Sequence, residues 1–157
     1  MCSKSKILHD PEERLKKLLL KYKSYPYDVW LEKLFTYWFF ATSSAPYNSN
    51  KAIEREDLIT AQFYLNQALE YYTALIFILN KSFVSYRKWR LKEMKKLQYK
   101  PEDFESILRR VLTVKNWSKE EFKKKQEIIQ ELAERLKKKL IDSGVPKERV
   151  ENPWKYG

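Results

Sequence analysis

The residues best suited to bind a ligand lie in one short stretch, LNKSFVSYRKW, which runs from Leu79 to Trp89. Its aromatic rings offer flat faces on which a base can stack, and the neighbouring cations can bind phosphate. The side-chain amide of Asn80 must cap a helix or bind a neighbour or ligand, because an unpaired buried amide costs roughly 1–3 kcal/mol. The predicted substrate- or nucleotide-binding residues are Asn80, Tyr86, Arg87, Lys88, Trp89 and Arg90.

The charge pattern around this stretch favours an anionic partner. The chain carries a net charge of +11, and residues 81–100 hold eight Lys or Arg against a single acid, Glu93. A local excess of positive charge is typical of contact with nucleic acid, nucleotide phosphates or an acidic protein. In the alternative interpretation, Tyr86 and Trp89 pack in the core while the cations extend into solvent. Composition alone leaves both interpretations open.

Composition excludes most catalytic and metal-binding arrangements. His9 and Cys2 are the only histidine and cysteine, too few for a usual zinc site or for a nucleophilic triad in the body of the chain. Two glycines exclude a P-loop and a dinucleotide-binding fingerprint. Glu54 and Asp57 share a helix face and in principle suit a metal, but acids at a helix start are the commoner explanation. We expect no catalysis by this chain alone, no metal and no cofactor.

Apolar residues at helical spacing predict an all-α fold, an antiparallel bundle of five to six helices with short links. The first helix starts at Asp10-Pro11 and breaks at Ser24. The stretch PYNSN at 46–50 is predicted to be a loop of turn-forming residues. The second helix is predicted from about residue 29 to 42, the third over 53–80 and the fourth over 84–97. The fifth begins at residue 101 and has Leu112 on its inner face. The last helix runs from a capping box at Ser118 to Gly144.

We divide the chain into a flexible N-terminus (1–9), the helical bundle (10–143) and a C-terminal tail (144–157). The tail carries Trp154 and Tyr156, which are expected to dock on the core. A single thiol fits a reducing compartment, and no signal peptide is visible. The longest apolar run without charge is ten residues, from Tyr71 to Asn80, against about 20 needed to span a bilayer. The expected location is the cytoplasm.

Three stretches resemble the domain of unknown function 4037 family. LNKSFVSYRKW resembles the family signature LN-x-x-[YF]-x-P-Y-x-K-W, although Ser85 stands where the family usually has proline. The segment Ile7–Leu15 (ILHDPEERL) is similar to the junction that follows the family's catalytic domain, and Tyr22–Leu34 is similar to its YYP-x-D-V segment. The resemblance covers about residues 7–97 in matching order.

This resemblance implies a helical domain that accompanies a nucleotidyltransferase domain. The helical half of the family resembles the substrate-binding domains of kanamycin-type nucleotidyltransferases and the related HEPN bundles. The catalytic half carries a Gly-Ser motif and paired aspartates that hold Mg²⁺, and this chain contains neither. HEPN ribonucleases require Arg-x(4–6)-His, which a chain without histidine after His9 cannot supply. The chain thus resembles the helical half alone, either as a separate subunit or as part of a split gene.

Three functions remain as hypotheses. The first is a non-catalytic substrate-binding or accessory subunit of a nucleotidyltransferase, whose catalytic partner supplies the metal-bound carboxylates. In this hypothesis Asn80, Tyr86, Lys88 and Trp89 line a pocket, and Arg87 and Arg90 bind phosphates. The second is a basic module that binds RNA or DNA phosphates. The third is a homodimeric scaffold whose interface uses Tyr37, Phe40 and Trp117.

Overall fold

The computed structural model describes residues 8–21 and 25–157, and every regular element in these ranges is helical. This confirms the all-α prediction. Most of the predicted flexible segment 1–9, together with Tyr22 and Ser24, lies outside the described residues. The α-helices are α1 (Arg14–Lys21), α2 (Tyr27–Phe39), α3 (Ala45–Glu54), α4 (Leu58–Leu79), α5 (Arg90–Met94), α6 (Phe104–Leu112), α7 (Lys119–Asp142) and α8 (Lys147–Glu151).

Helix α4 lies at the centre of the bundle and packs against α2, α3, α6 and α7. Its last eight residues, 72–79, are all buried, as the apolar run predicted. The helix begins later than expected, because Asp57 caps it: Asp57 Oδ1 accepts the Thr60 N–H at 3.1 Å. The Trp30 Nε1–H of α2 donates to the Ile78 carbonyl at 2.6 Å, which ties α2 to the end of α4.

The predicted loop at 46–50 is wrong, since these residues belong to α3. A π-helical turn, Phe40–Ser44, connects α2 to α3 without a break, and Pro46 stands in the first turn of α3, where a missing N–H is tolerated. The buried residues of α3 include two alanines and a serine, and the Ser49 hydroxyl donates to the Ala61 carbonyl of α4 at 3.3 Å. Packing on α4 therefore overrides the turn preference of the sequence PYNSN.

The predicted helix over 84–97 is only partly present. Lys81 adopts a φ of +53°, and the Ser82 N–H donates to the Phe77 carbonyl at 3.0 Å, a hydrogen bond that ends α4. The chain then runs without helical structure to Tyr86, forms a 3₁₀ turn at Arg87–Trp89 and continues as the five-residue helix α5. The side chains of 84–91 therefore do not follow the face pattern of one continuous helix.

The C-terminal half follows the sequence prediction closely. Ser118 caps α7 by accepting the Glu121 N–H at 3.3 Å, and the predicted inward residues Phe122, Ile129, Leu132, Leu136 and Leu140 are buried. Gly144 ends this helix with a φ of +99°. One expectation is wrong: Leu112 is exposed at the end of α6.

The tail folds back onto α2. The Trp38 Nε1–H donates to the Val150 carbonyl of α8 at 3.0 Å, and Val150 itself is buried. Trp154 makes an edge contact with Phe39, and Tyr156 packs against the core as expected.

The N-terminal helix α1 differs from the others, because it makes no extensive contact with another described element. It begins at Arg14 rather than at Pro11, although Asp10 Oδ2 still accepts the Lys16 N–H at 2.8 Å. Leu15, Leu18 and Leu20 are exposed. No helix in the described ranges combines the length and the apolar character needed to cross a membrane.

A substitution at Tyr72 tests the packing at the centre of α4. Its side chain is fully buried, and its hydroxyl has no hydrogen-bond partner among the residues described. Burial, and to a lesser extent the charge of Glu134, raises the pKa of this hydroxyl well above its ordinary value. Because an unpaired buried hydroxyl is destabilising, Tyr72→Phe should raise the free energy of unfolding by about 1 kcal/mol in urea titration. Tyr86→Phe, at an exposed ring, should leave it unchanged. A loss of stability in Tyr72→Phe would contradict this prediction.

Candidate functional site

Asn80 joins the end of α4 to the chain that precedes α6. Its Oδ1 accepts the Tyr99 N–H at 2.8 Å, and its Nδ2 donates to the carbonyls of Tyr99 and Ile76, both at 2.7 Å. Asn80 thus caps α4 and binds a neighbour, which confirms what the sequence required of this amide. We call residues 81–98 the basic segment; it contains the short helix α5, and its two ends meet at this side chain.

A cleft of about 760 Å³ lies along one side of α4, between α2, the basic segment and α6. We call it the α4 cleft. Its walls are mainly apolar, and they include the exposed side chains of Phe63, Leu91 and Leu112. Asn66 and Gln67 add amide groups that can form hydrogen bonds with a ligand. The remaining lining residues are Tyr37, Leu69, Glu70, Tyr71, Thr73, Ala74, Val84, Arg87, Arg90 and Leu108.

Glu70 brings two of the predicted phosphate-binding residues to the α4 cleft. One carboxylate oxygen forms a short contact with Arg90 Nη1, and the other lies 3.4 Å from Arg87 Nε. Arg90 is further fixed by its Nε–H, which donates to the Ser85 carbonyl at 3.2 Å. Arg87 is mostly exposed and makes the longer ion pair, so its guanidinium is the one that can turn toward a ligand.

The other predicted residues lie on an exposed surface rather than in the α4 cleft. The Nζ atoms of Lys88 and Lys92 each lie 5.5 Å from the centroid of the Trp89 ring. Trp89 is 46% exposed and Tyr86 is 60% exposed, so the alternative that these rings pack in the core is wrong. We call Tyr86, Lys88, Trp89 and Lys92 the Trp89 surface.

The structure therefore distributes the six predicted residues over three places. Asn80 has a structural role at the base of the loop, Arg87 and Arg90 line the α4 cleft, and the other three form the exposed surface. Sequence reasoning did not identify Phe63, Glu70 or Leu112 as cleft residues. For Phe63 a signal was present, because it is an apolar side chain that lies off the buried stripe of α4.

The two acids considered for metal binding have other roles. Glu54 pairs with Lys51 at 3.0 Å near the end of α3, and Asp57 caps α4. Hydrogen bonds from Thr60 lower the pKa of the Asp57 carboxyl. Across the described ranges, no group of three or more His, Cys, Asp or Glu residues is placed to hold a metal ion.

The bundle and its cleft define an all-α domain, and sequence comparison identifies its family. The family model described as "Domain of unknown function (DUF4037)" matches residues 1–90, more than half of the 157 residues. The chain belongs to this family. The matched region ends at Arg90, so it contains α1 to α4 and the LNKSFVSYRKW stretch. No curated protein and no solved structure matches the chain.

The ion pairs of Glu70 lead to a stability prediction. Glu70→Gln removes the charge that holds Arg90, whose side chain is only 16% exposed. We expect the free energy of unfolding to fall by about 1 kcal/mol in urea titration. Glu134→Gln, which breaks the more exposed pair with Lys137, should change it by less than about 0.5 kcal/mol. Equal effects of the two substitutions would show that Glu70 does not position the arginines.

Proposed function

We propose that this protein is a non-catalytic substrate-binding or accessory subunit of a nucleotidyltransferase, and that the α4 cleft holds the substrate. The observation that carries the proposal is the cleft itself: about 760 Å³, largely apolar, with the Glu70–Arg87–Arg90 group at its edge. Small-molecule sites have this character, since they combine an apolar wall with a few fixed polar groups. The family resemblance implies a neighbouring nucleotidyltransferase domain, and from this we infer that the reaction is nucleotidyl transfer.

The cleft residues suit a ligand with both a flat apolar part and an anionic part. Phe63 and Leu112 offer apolar contact at one side, where the cleft is open to solvent. Arg87 can leave its 3.4 Å contact with Glu70 and pair with a phosphate, while Arg90 remains bound. Nucleotidyl transfer would take place on the catalytic partner, whose carboxylates bind the metal ion.

Helix α1 is the candidate contact for that partner. Leu15 and Leu18 are exposed on a helix that makes no extensive contact with the bundle, so their apolar surface is free to pack against another chain. Among the residues described, the α1 side chains are not part of the α4 cleft lining. We infer a cytoplasmic location for the complex from the single thiol.

Co-expression with a nucleotidyltransferase encoded beside this chain tests the proposal. The wild-type protein should co-purify with that enzyme, and Leu15→Glu/Leu18→Glu should abolish co-purification. Ile59→Glu, which changes an exposed apolar residue on α4, is the matched control and should retain it.

The same preparation tests the cleft. Arg87→Gln should weaken ATP binding to the complex about tenfold in calorimetry, whereas Arg55→Gln, at an exposed arginine outside the cleft, should not. If the chain never co-purifies with the enzyme and shows no nucleotide binding that depends on Arg87, the proposal is wrong.

A second candidate function is contact with RNA or DNA through the Trp89 surface. Trp89 and Tyr86 are exposed, and two lysines lie beside the indole ring, an arrangement in which a base stacks while cations contact the backbone. RNA binding that weakens steeply with salt and depends on Trp89, but not on Arg87, would favour this function.

Scaffolding by a homodimer has the weakest support. Of the three aromatic residues considered for a dimer interface, Tyr37 and Phe40 pack against Tyr71 and are partly buried. Trp117 is 56% exposed.

A further inference from the structure

A second pocket, separate from the α4 cleft, lies between the end of α6 and the first half of α7. Its volume is about 340 Å³, within the range of roughly 300–1,000 Å³ typical of small-molecule sites. Helix α6 separates the two cavities, since Leu108 and Leu112 face the cleft while Arg109 and Arg110 face this pocket. The pocket, which we call the α6–α7 pocket, is lined by Arg109, Arg110, Thr113, Lys115, Glu121, Lys124, Lys125 and Ile128.

The lining of the α6–α7 pocket is strongly cationic. Five of its eight residues are Lys or Arg, and Glu121 is the one acid among them. Arg109 is paired outside the lining with Glu105, at 2.9 Å. Within the described part of the chain, no ion pair engages Arg110, Lys115 or Lys124. The carboxylate of the nearby Asp103 binds Arg135 with two contacts of 2.7 Å, and its pKa is lowered mainly by Arg135 and least by Arg110.

Lys125 gives the pocket a fixed, buried cation. Its side chain is 2% exposed, and its Nζ–H donates to Gln62 Oε1 at 2.7 Å, which uses one of three N–H donors. Gln62 is itself held in place, because its Nε2 donates to Asn66 Oδ1 and to the Val111 carbonyl. Burial lowers the pKa of Lys125, and Glu121 opposes this shift. Burying a lysine in this way is costly unless an anion or another acceptor shares its charge.

Structural roles explain only part of this cluster. Cations in the last turn of a helix stabilise its dipole, which accounts for Arg109 and Arg110 in α6. That role does not apply to Lys115, which follows the helix, or to Lys124 and Lys125, which are the sixth and seventh residues of α7 and lie far from its C-terminal end. The helix dipole therefore does not account for Lys115, Lys124 and Lys125, the other three cations that line this pocket.

An exposed indole lies close to the pocket. The Trp117 ring centroid is 5.6 Å from that of Phe122, and the Lys125 Nζ is 4.9 Å from the centroid of the same Phe122 ring. Trp117 is thus one ring away from the buried ammonium group, on the short connection between α6 and α7. An aromatic face beside a phosphate-binding cluster can stack against a base.

We propose that the α6–α7 pocket binds a compact ligand with two or more linked phosphate groups, of the nucleoside polyphosphate class. Arg110, Lys115 and Lys124 contact the outer phosphates, Lys125 contacts the phosphate that reaches deepest, and Trp117 stacks against the base. A concave site with several unpaired cations fits a short polyphosphate better than an extended strand, which needs cations along a groove. The proposal is independent of the proposed function, because the two cavities share no lining residue and this one lies beyond the family match.

Calorimetry on the full chain, in phosphate-free buffer at constant ionic strength, tests the pocket with sodium tripolyphosphate and ATP as probes. Lys124→Gln and Arg110→Gln should each weaken tripolyphosphate binding about tenfold, because each removes a charge-assisted hydrogen bond. Lys123→Gln is the matched control, since Lys123 is the exposed neighbour of Lys124 outside the lining, and it should weaken binding less than about twofold. Trp117→Ala should weaken ATP binding while leaving tripolyphosphate binding unchanged.

Each other outcome would overturn the proposal. Equal effects of Lys123→Gln and Lys124→Gln would show general attraction to a basic surface, and absence of tripolyphosphate binding would remove the site. Much tighter binding of a single-stranded RNA oligonucleotide, sensitive to Lys124→Gln, would show that a strand rather than a compact ligand occupies the pocket. Arg87→Gln should leave tripolyphosphate binding unchanged, so that failure of the α4 cleft and failure of this pocket are distinguishable.

Discussion

The arrangement of the basic segment depends on the side chain of Asn80. Its amide pairs with both the N–H and the carbonyl of Tyr99, and so holds together the two ends of a segment with little regular structure. Ordering such a segment costs conformational free energy, on the order of 1–2 kcal/mol per residue. Contacts that offset this cost include the buried side chain of Met94 and the partly buried side chains of Val84 and Leu97. The pairing of Arg87 and Arg90 with Glu70 adds to them. These contacts hold the basic segment in place as one wall of the α4 cleft.

Net charge overstates the binding capacity of residues 81–100. Arg87 and Arg90 pair with Glu70, Lys95 lies 3.2 Å from Glu105, and Lys96 lies 2.9 Å from Glu93. Half of the eight cations in residues 81–100 therefore have acidic partners. The α6–α7 pocket, by contrast, includes unpaired cations from a stretch whose net charge is smaller. The positions of acids in the folded chain, more than the charge along the sequence, decide where an anion can bind.

Local signals predicted the long helices, and long-range contacts caused the errors. The apolar run before Asn80 and the capping box at Ser118 each specify an element without reference to the rest of the chain. The sequence PYNSN was misassigned because its helix depends on packing against α4, and a short-range pattern does not contain that contact. Lys125 likewise lies at a position that its charge suggests is exposed, and it is buried because Gln62, 63 positions away, accepts its hydrogen bond. The six candidate site residues were grouped because they are close in sequence, but the irregular chain that follows α4 places them on different surfaces.

Hydrogen exchange of Asn80→Ala tests the central claim that one amide holds the basic segment. Relative to the wild type, backbone amides in 82–98 should exchange about tenfold faster or more, whereas buried amides of α7 should change only by the loss of global stability. Asn116→Ala, which alters an exposed asparagine between α6 and α7, provides the control. Unchanged exchange in 82–98, or an equal increase throughout the bundle, would contradict this account.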